Sequence, residues 1–133
     1  MVVKMLKKKL GIEAIERNWN LHYHLSNHYF KIPSILVIPE GCEMIGNFAF
    51  YECNRLKEVV ISKSVEVIRF GAFEYCGRLE KVVIPRNVEV IGSIVFYYCS
   101  NAVIILKKPR REFKFIAPDA FSDCRDVKEE VWT

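Results

Sequence analysis

LKEVVISKSVEVIRFGAFEYCGR, residues 56–78, is followed without a gap by LEKVVIPRNVEVIGSIVFYYCSN, residues 79–101, and preceded by PSILVIPEGCEMIGNFAFYECNR, residues 33–55. Residues 56–78 and 79–101 agree at eleven of twenty-three positions, and 33–55 and 56–78 agree at eight. A fixed period in the range of 20 to 50 residues is the signature of a stacked repeat architecture. A fourth copy over residues 102–126 keeps Ile116, Ala120, Phe121 and Cys124, but two extra residues near KKPRR lengthen it to twenty-five. The chain end, CRDVKEEVWT, reads like the start of CNRLKEVVI, with Val127 in the place of Leu56.

Each copy changes its apolar period half-way. Val59 and Ile61, like Val82 and Ile84, alternate with Val60 and Val83, which is the period of a strand. Pro39 and Pro85 then end the strand by withholding a backbone donor. Val65, Ile68, Ala72, Phe73 and Cys76 follow at spacings of three and four, which suit a turn and a short helical or 3-10 return. One such coil cannot bury its own apolar face, whereas stacked coils close a continuous core. The expected fold is therefore an α/β repeat solenoid. Parallel strands about 4.8 Å apart form a sheet on one face, with helical returns on the other. Residues 1–33 are expected to form a basic helix and cap, and residues 34–133 the solenoid, with a terminal strand over 127–133.

IPEGCEMIGNFAFYEC (38–53) and IPRNVEVIGSIVFYYC (84–99) resemble leucine-rich repeats of the BspA type. Ser62, Arg69, Val95 and Cys42 depart from that pattern at single positions. The resemblance implies a right-handed leucine-rich-repeat coil, no enzymatic activity, and a role in binding or assembling proteins. Bacterial members of the family suggest a surface adhesin. Members in protists and in large viruses of amoebae suggest an intracellular module or one packaged in a particle.

The 133 residues are 51% apolar and 27% charged, an ordinary globular balance. No run of about 18 apolar residues suggests a membrane span. Lys4, Lys7, Lys8 and Lys9 interrupt any secretory apolar run, and Glu13 and Glu16 are out of place in a mitochondrial presequence. The expectation is a cytoplasmic or otherwise intracellular product, with unconventional export as the alternative. Residues 1–31 hold six Lys or Arg against two Glu, so the net charge of +4 belongs to this segment. MVVKMLKKKLGIEAIE reads as an amphipathic helix, expected to cap the first coil rather than to lie on a membrane.

No catalytic, cofactor or metal site stands out. Cys53, Cys76, Cys99 and Cys124 recur at one coil position and form a column, whereas zinc needs four ligands converging on a point. They are read, with Cys42, as core thiols that meet loop carbonyls. His22, His24 and His28 do not share one face in any single conformation and are read as a polar cap surface. Glu43, Glu66 and Glu89 recur as solvated turn residues beside Lys63 and Arg86. Lys107, Lys108, Arg110, Arg111 and Lys114 form a basic cluster that would suit phosphate, but Glu112 dilutes it, and Phe113 and Phe115 are read as inward-facing. Nucleic acid is therefore the weaker reading. The favoured one is a protein partner or self-association through the outward strand positions Val37, Val60 and Val83, continued by Ile105 and Val131.

Overall fold

Equal coil lengths place each residue over its counterpart, and the strand pairing shows this directly. A computed structural model describes residues 34–38 and 40–131. The helix and cap expected over residues 1–33, and the three histidines, lie outside the described residues. Strands β1 (Ile35–Val37), β3 (Glu58–Val60), β5 (Lys81–Ile84), β7 (Val103–Leu106) and β9 (Asp126–Glu129) pair in parallel, in that order, as one sheet. Strands β2 (Met44–Ile45), β4 (Val67–Ile68), β6 (Val90–Ile91) and β8 (Phe115–Ile116) form a second parallel sheet.

Columns of like residues fill the interior. Leu36, Val59, Val82, Ile104 and Val127 follow one another in register across the first sheet, and Ile45, Ile68, Ile91 and Ile116 across the second. Phe50, Phe73 and Phe96 are fully buried and stack nearly parallel, with centroids 5.2 and 5.4 Å apart, and Phe121 extends the stack at 6.0 Å. That spacing follows the coil rise, so each ring lies in the offset or stacked contact that aromatic faces favour.

The returns are not helical. The only helix among the described residues is a 3-10 turn at Arg110–Glu112, at the corner where the fourth coil is lengthened. Elsewhere, amides along the third side of the coil alternate between two acceptors. Phe48, Phe50 and Glu52 donate to the next coil at Phe70, Ala72 and Glu74, whereas Ala49 and Tyr51 close turns onto Gly46 and Phe48. Amides spent between coils cannot feed a helical ladder. Left-handed residues make the alternation possible: Glu52, Tyr75, Tyr98 and Asp123, at one coil position, all have φ between 54° and 66°. Phe48, Gly71 and Ile94 do the same four residues earlier, with φ of 54°, 63° and 49°.

The chain end is also arranged differently from the sequence reading. β9 pairs with β7 so that Val127 faces Ile104 and Lys128 faces Ile105. Val127 therefore takes the inward strand position of Val59 and Val82, not that of Leu56. Between β7 and β8 the fourth coil runs three residues longer than its predecessors, and the link from Cys124 to β9 is two residues shorter than that from Cys99 to β7. The second sheet absorbs the offset, pairing Val90 with Phe115, while the first stays within one residue of its period, with Val82 facing Ile104 and Ile104 facing Val127. Phe115 consequently points outward and is 53% exposed, because Ile116 fills the inward column, while Phe113 is buried as expected.

Gly71 offers a test of this backbone. A Cβ there would lie 2.5 Å from the Phe48 ring, and its φ of 63° disfavours any side chain. Gly71→Ala is expected to destabilise the protein by about 1–3 kcal/mol through overpacking and strain. Glu52→Gly, exposed at a comparable φ, should cost nothing or stabilise. Urea unfolding of both variants checks the contrast.

Candidate functional site

Outward strand positions on the first sheet form an apolar stripe that fades along the solenoid. Val37, Val60, Val83 and Ile105 are register neighbours. Val37 is 36% and Val60 45% exposed, Val83 is half-buried, and Ile105 is buried at 8%. The stripe ends at Lys128 rather than Val131, which lies beyond β9 and is 42% exposed. Ile35, at 47%, widens the patch at the β1 end, and Glu58 and Lys81 succeed it in the flanking column. Val60, Val83 and Pro85 line a shallow groove of about 280 Å³ with Glu58, Lys81 and Lys107 also along it. Charged Lys128 and Glu129 cover the β9 edge, which discourages strand addition there.

The basic cluster does not form a strip. Lys108 is buried, its Nζ 2.6 Å from the Glu89 carboxylate and 4.7 Å over the Phe113 ring. This contact holds the Glu89 carboxyl below the ordinary range, chiefly through the hydrogen bond from Lys108. Lys107 pairs with Glu130 at 3.6 Å, and the Arg110 guanidinium sits 5.5 Å over the Phe121 ring. Arg111 and Lys114 are exposed, and Lys114 turns toward a mixed corner shared with Glu43, Lys63, Glu66, Arg86 and Glu89. A cation consumed by a neighbouring carboxylate releases no counterion to a phosphate backbone.

Three thiols of the cysteine column meet the preceding coil. Cys76, Cys99 and Cys124 donate from Sγ to the carbonyls of Phe50, Phe73 and Phe96 at 3.2, 3.0 and 3.2 Å. Burial pushes the Cys76 thiol well up, a hydrogen bond with Cys76 and burial push up Cys99, and burial drives Cys124 up to about 12. Such thiols are poor nucleophiles and poor metal ligands, because the thiolate is the reactive form. Among the described residues no group of three His, Cys, Asp or Glu side chains could hold a metal ion. No helix among them is long and apolar enough to cross a membrane.

Repeats of this length, with an isoleucine column, a phenylalanine stack and a thiol column bonded from coil to coil, agree with the family comparison. The model for the BspA type leucine rich repeat region, in six copies, matches residues 24–131. The chain belongs to the BspA-type leucine-rich repeat family. No curated protein and no solved structure matches it.

The third side of this BspA-type coil carries a surface that the repeat pattern did not single out. Over residues 47–52, 70–75, 93–98 and 118–123 the charged side chains are Glu52, Glu74, Asp119 and Asp123, with no Lys or Arg. Aromatic rings run between them: Phe48 meets Tyr51 at 5.7 Å, Tyr51 meets Tyr75 at 5.8 Å, and Tyr75 stacks on Tyr98 at 5.4 Å. Phe70, Tyr75 and Tyr98 are 41%, 37% and 45% exposed. Burial first, then the neighbouring Glu52 charge, raises the Tyr51 pKa. Only the combined spacing of Tyr51, Glu74 and Tyr97 at one coil position signalled this face in the sequence.

Glu74 is 7% exposed. Burial, then the Glu52 charge, raises its pKa. Between the ordinary carboxyl pKa and this raised one, the folded chain holds the proton that the unfolded chain has released, so this group's contribution to stability falls as pH rises through that window. Glu74→Gln is thus expected to raise the unfolding temperature at pH 7, with the gain vanishing below about pH 4. Thermal unfolding at both pH values reads the difference.

Proposed function

We propose that the protein is a non-enzymatic protein-interaction or assembly module that presents the outer face of its first sheet. Membership of a leucine-rich repeat family supports the interaction role. The observation that carries the surface is the exposed apolar register of Ile35, Val37 and Val60, continued into the groove at Val83 and Pro85. Contiguous exposed apolar side chains of this kind are stabilised when a partner covers them, at about 25 cal/mol per Å² of apolar area removed from water.

A flat strand face with a shallow groove suits another protein or a second copy better than a small molecule, which requires a concave, enclosing pocket. The alternating charges beside it, Glu58 and Lys81, would give register rather than affinity to the contact. The nucleic-acid reading draws little from the geometry, since Lys107 and Lys108 are engaged within the chain. Nothing in the side-chain arrangement favours the adhesin over an intracellular module. The five cysteines form no disulfide, which fits a reducing compartment, and an intracellular setting is part of the same proposal.

The double substitution Val60→Lys and Val83→Lys tests the surface. It places like charges at neighbouring register positions on an exposed face, so the fold should survive, with a cost below about 2 kcal/mol. Self-association in native mass spectrometry, or capture of the partner from the source cell, should fall at least tenfold. Unchanged association with both signals intact would remove the stripe from the account.

A further inference from the structure

The outward side chains of the first sheet fall into two columns. One runs Ile35, Glu58, Lys81 and Val103, and the other Val37, Val60, Val83 and Ile105, each at successive register positions. Glu58 and Lys81 are both exposed, and neither is in an ion pair among the described residues. A line drawn between β3 and β5 therefore has an acid on one side and a base on the other in the first column, and a valine on each side in the second. One strand further out, Ile35 answers Val103 and Val37 answers Ile105. Reversing the order of the coils about that line exchanges residues of matching kind, acid for base and apolar for apolar. A two-fold dimer requires this self-complementarity, because residue i of one copy meets j of the other and j meets i.

Other two-fold axes parallel to the strands fail on the same residues. An axis along β3 would set Glu58 against the partner's Glu58, and one along β5 would set Lys81 against the partner's Lys81. An axis between β1 and β3 would cover Glu58 with the partner's Ile35, and axes nearer β9 would leave exposed Ile35, Val37 and Val60 uncovered. Like charges face to face, or a charge covered by an aliphatic side chain, cost free energy. An axis along the stack would lay each valine on its own copy and leave Glu58 and Lys81 without opposite charges.

We infer that the occupant of this face is a second copy of the chain, packed about a two-fold axis that runs parallel to the strands between β3 and β5. Glu58 then meets the partner's Lys81, and Val60 meets the partner's Val83. The inference rests on the sheet face being the interaction surface proposed above. An axis parallel to the strands also keeps the two sheets aligned, a packing that sheet faces favour, at a separation of roughly 10 Å. Glutamate and lysine side chains reaching from opposite sheets span that distance.

The test is sedimentation equilibrium of the full chain. A contact of this modest extent should dissociate with a constant on the order of 10–100 µM, so the concentrations bracket that range. Glu58→Lys and Lys81→Glu should each weaken the homodimer at least about tenfold, because both cross-interface pairs become like-charged. Mixed in equal amounts, these two variants should form a heterodimer of parental affinity, and the double variant Glu58→Lys with Lys81→Glu should dimerise like the parent. Recovery in the mixture cannot come from relief of repulsion within a chain, since that repulsion persists in both variants. A monomeric parent, self-association that neither single variant weakens, or a mixture as weak as its components would each overturn the inference. A monomeric parent whose capture of another protein still falls on Val60→Lys with Val83→Lys would refute the second copy and leave the face as the interaction surface. Association unmoved by that double substitution would remove the face and the dimer together.

Discussion

The whole structure depends on backbone hydrogen bonds between successive coils. The two parallel sheets and the alternating amides of the third side tie each described coil to its neighbours around much of its outline. This fixes the spacing between equivalent residues at about one strand separation. Everything inside must then tolerate a copy of itself directly above and below. Isoleucine, phenylalanine and cysteine meet that condition, because flat rings stack, branched aliphatics nest, and a thiol can donate to the carbonyl of the coil before it.

The same constraint explains where departures from the repeat are allowed. Ser64, in the coil where Ser62 stands at the proline position, donates to the Cys42 carbonyl and accepts from the Gly41 amide, so the turn is still stitched across coils. The added residues near Lys108 are tolerated because they bulge at a corner, where the Lys108–Glu89 pair and the Phe113 ring close over them. Two residues are then dropped before β9, which restores the register of the first sheet. Insertions are absorbed at corners because a slip within a sheet would turn every inward side chain outward.

Much of this was legible in the sequence, since period, strand alternation and the cysteine column depend only on residue spacing. The second sheet was not, because strands of two residues, such as Val67–Ile68, leave no alternation to read. The turn side was misread as helical because Phe48, Glu52 and Ile94 hold left-handed conformations without the glycine that normally signals them, and only Gly71 carried that signal. Val131 was assigned to the outward stripe by setting Val127 in the place of Leu56, a match that the pairing of Val127 with Ile104 and of Lys128 with Ile105 overturns. Glu74 escaped notice because its neighbours come from different coils and differ in type from one copy to the next.

Stacking of whole coils is most directly tested by methyl-to-methyl nuclear Overhauser contacts in isoleucine-labelled protein. The account predicts strong cross-peaks linking Ile45 to Ile68, Ile68 to Ile91 and Ile91 to Ile116, with none between Ile45 and Ile91, two coils apart. A spectrum in which these neighbouring pairs give no cross-peaks, while other isoleucines of the same protein do, would contradict it.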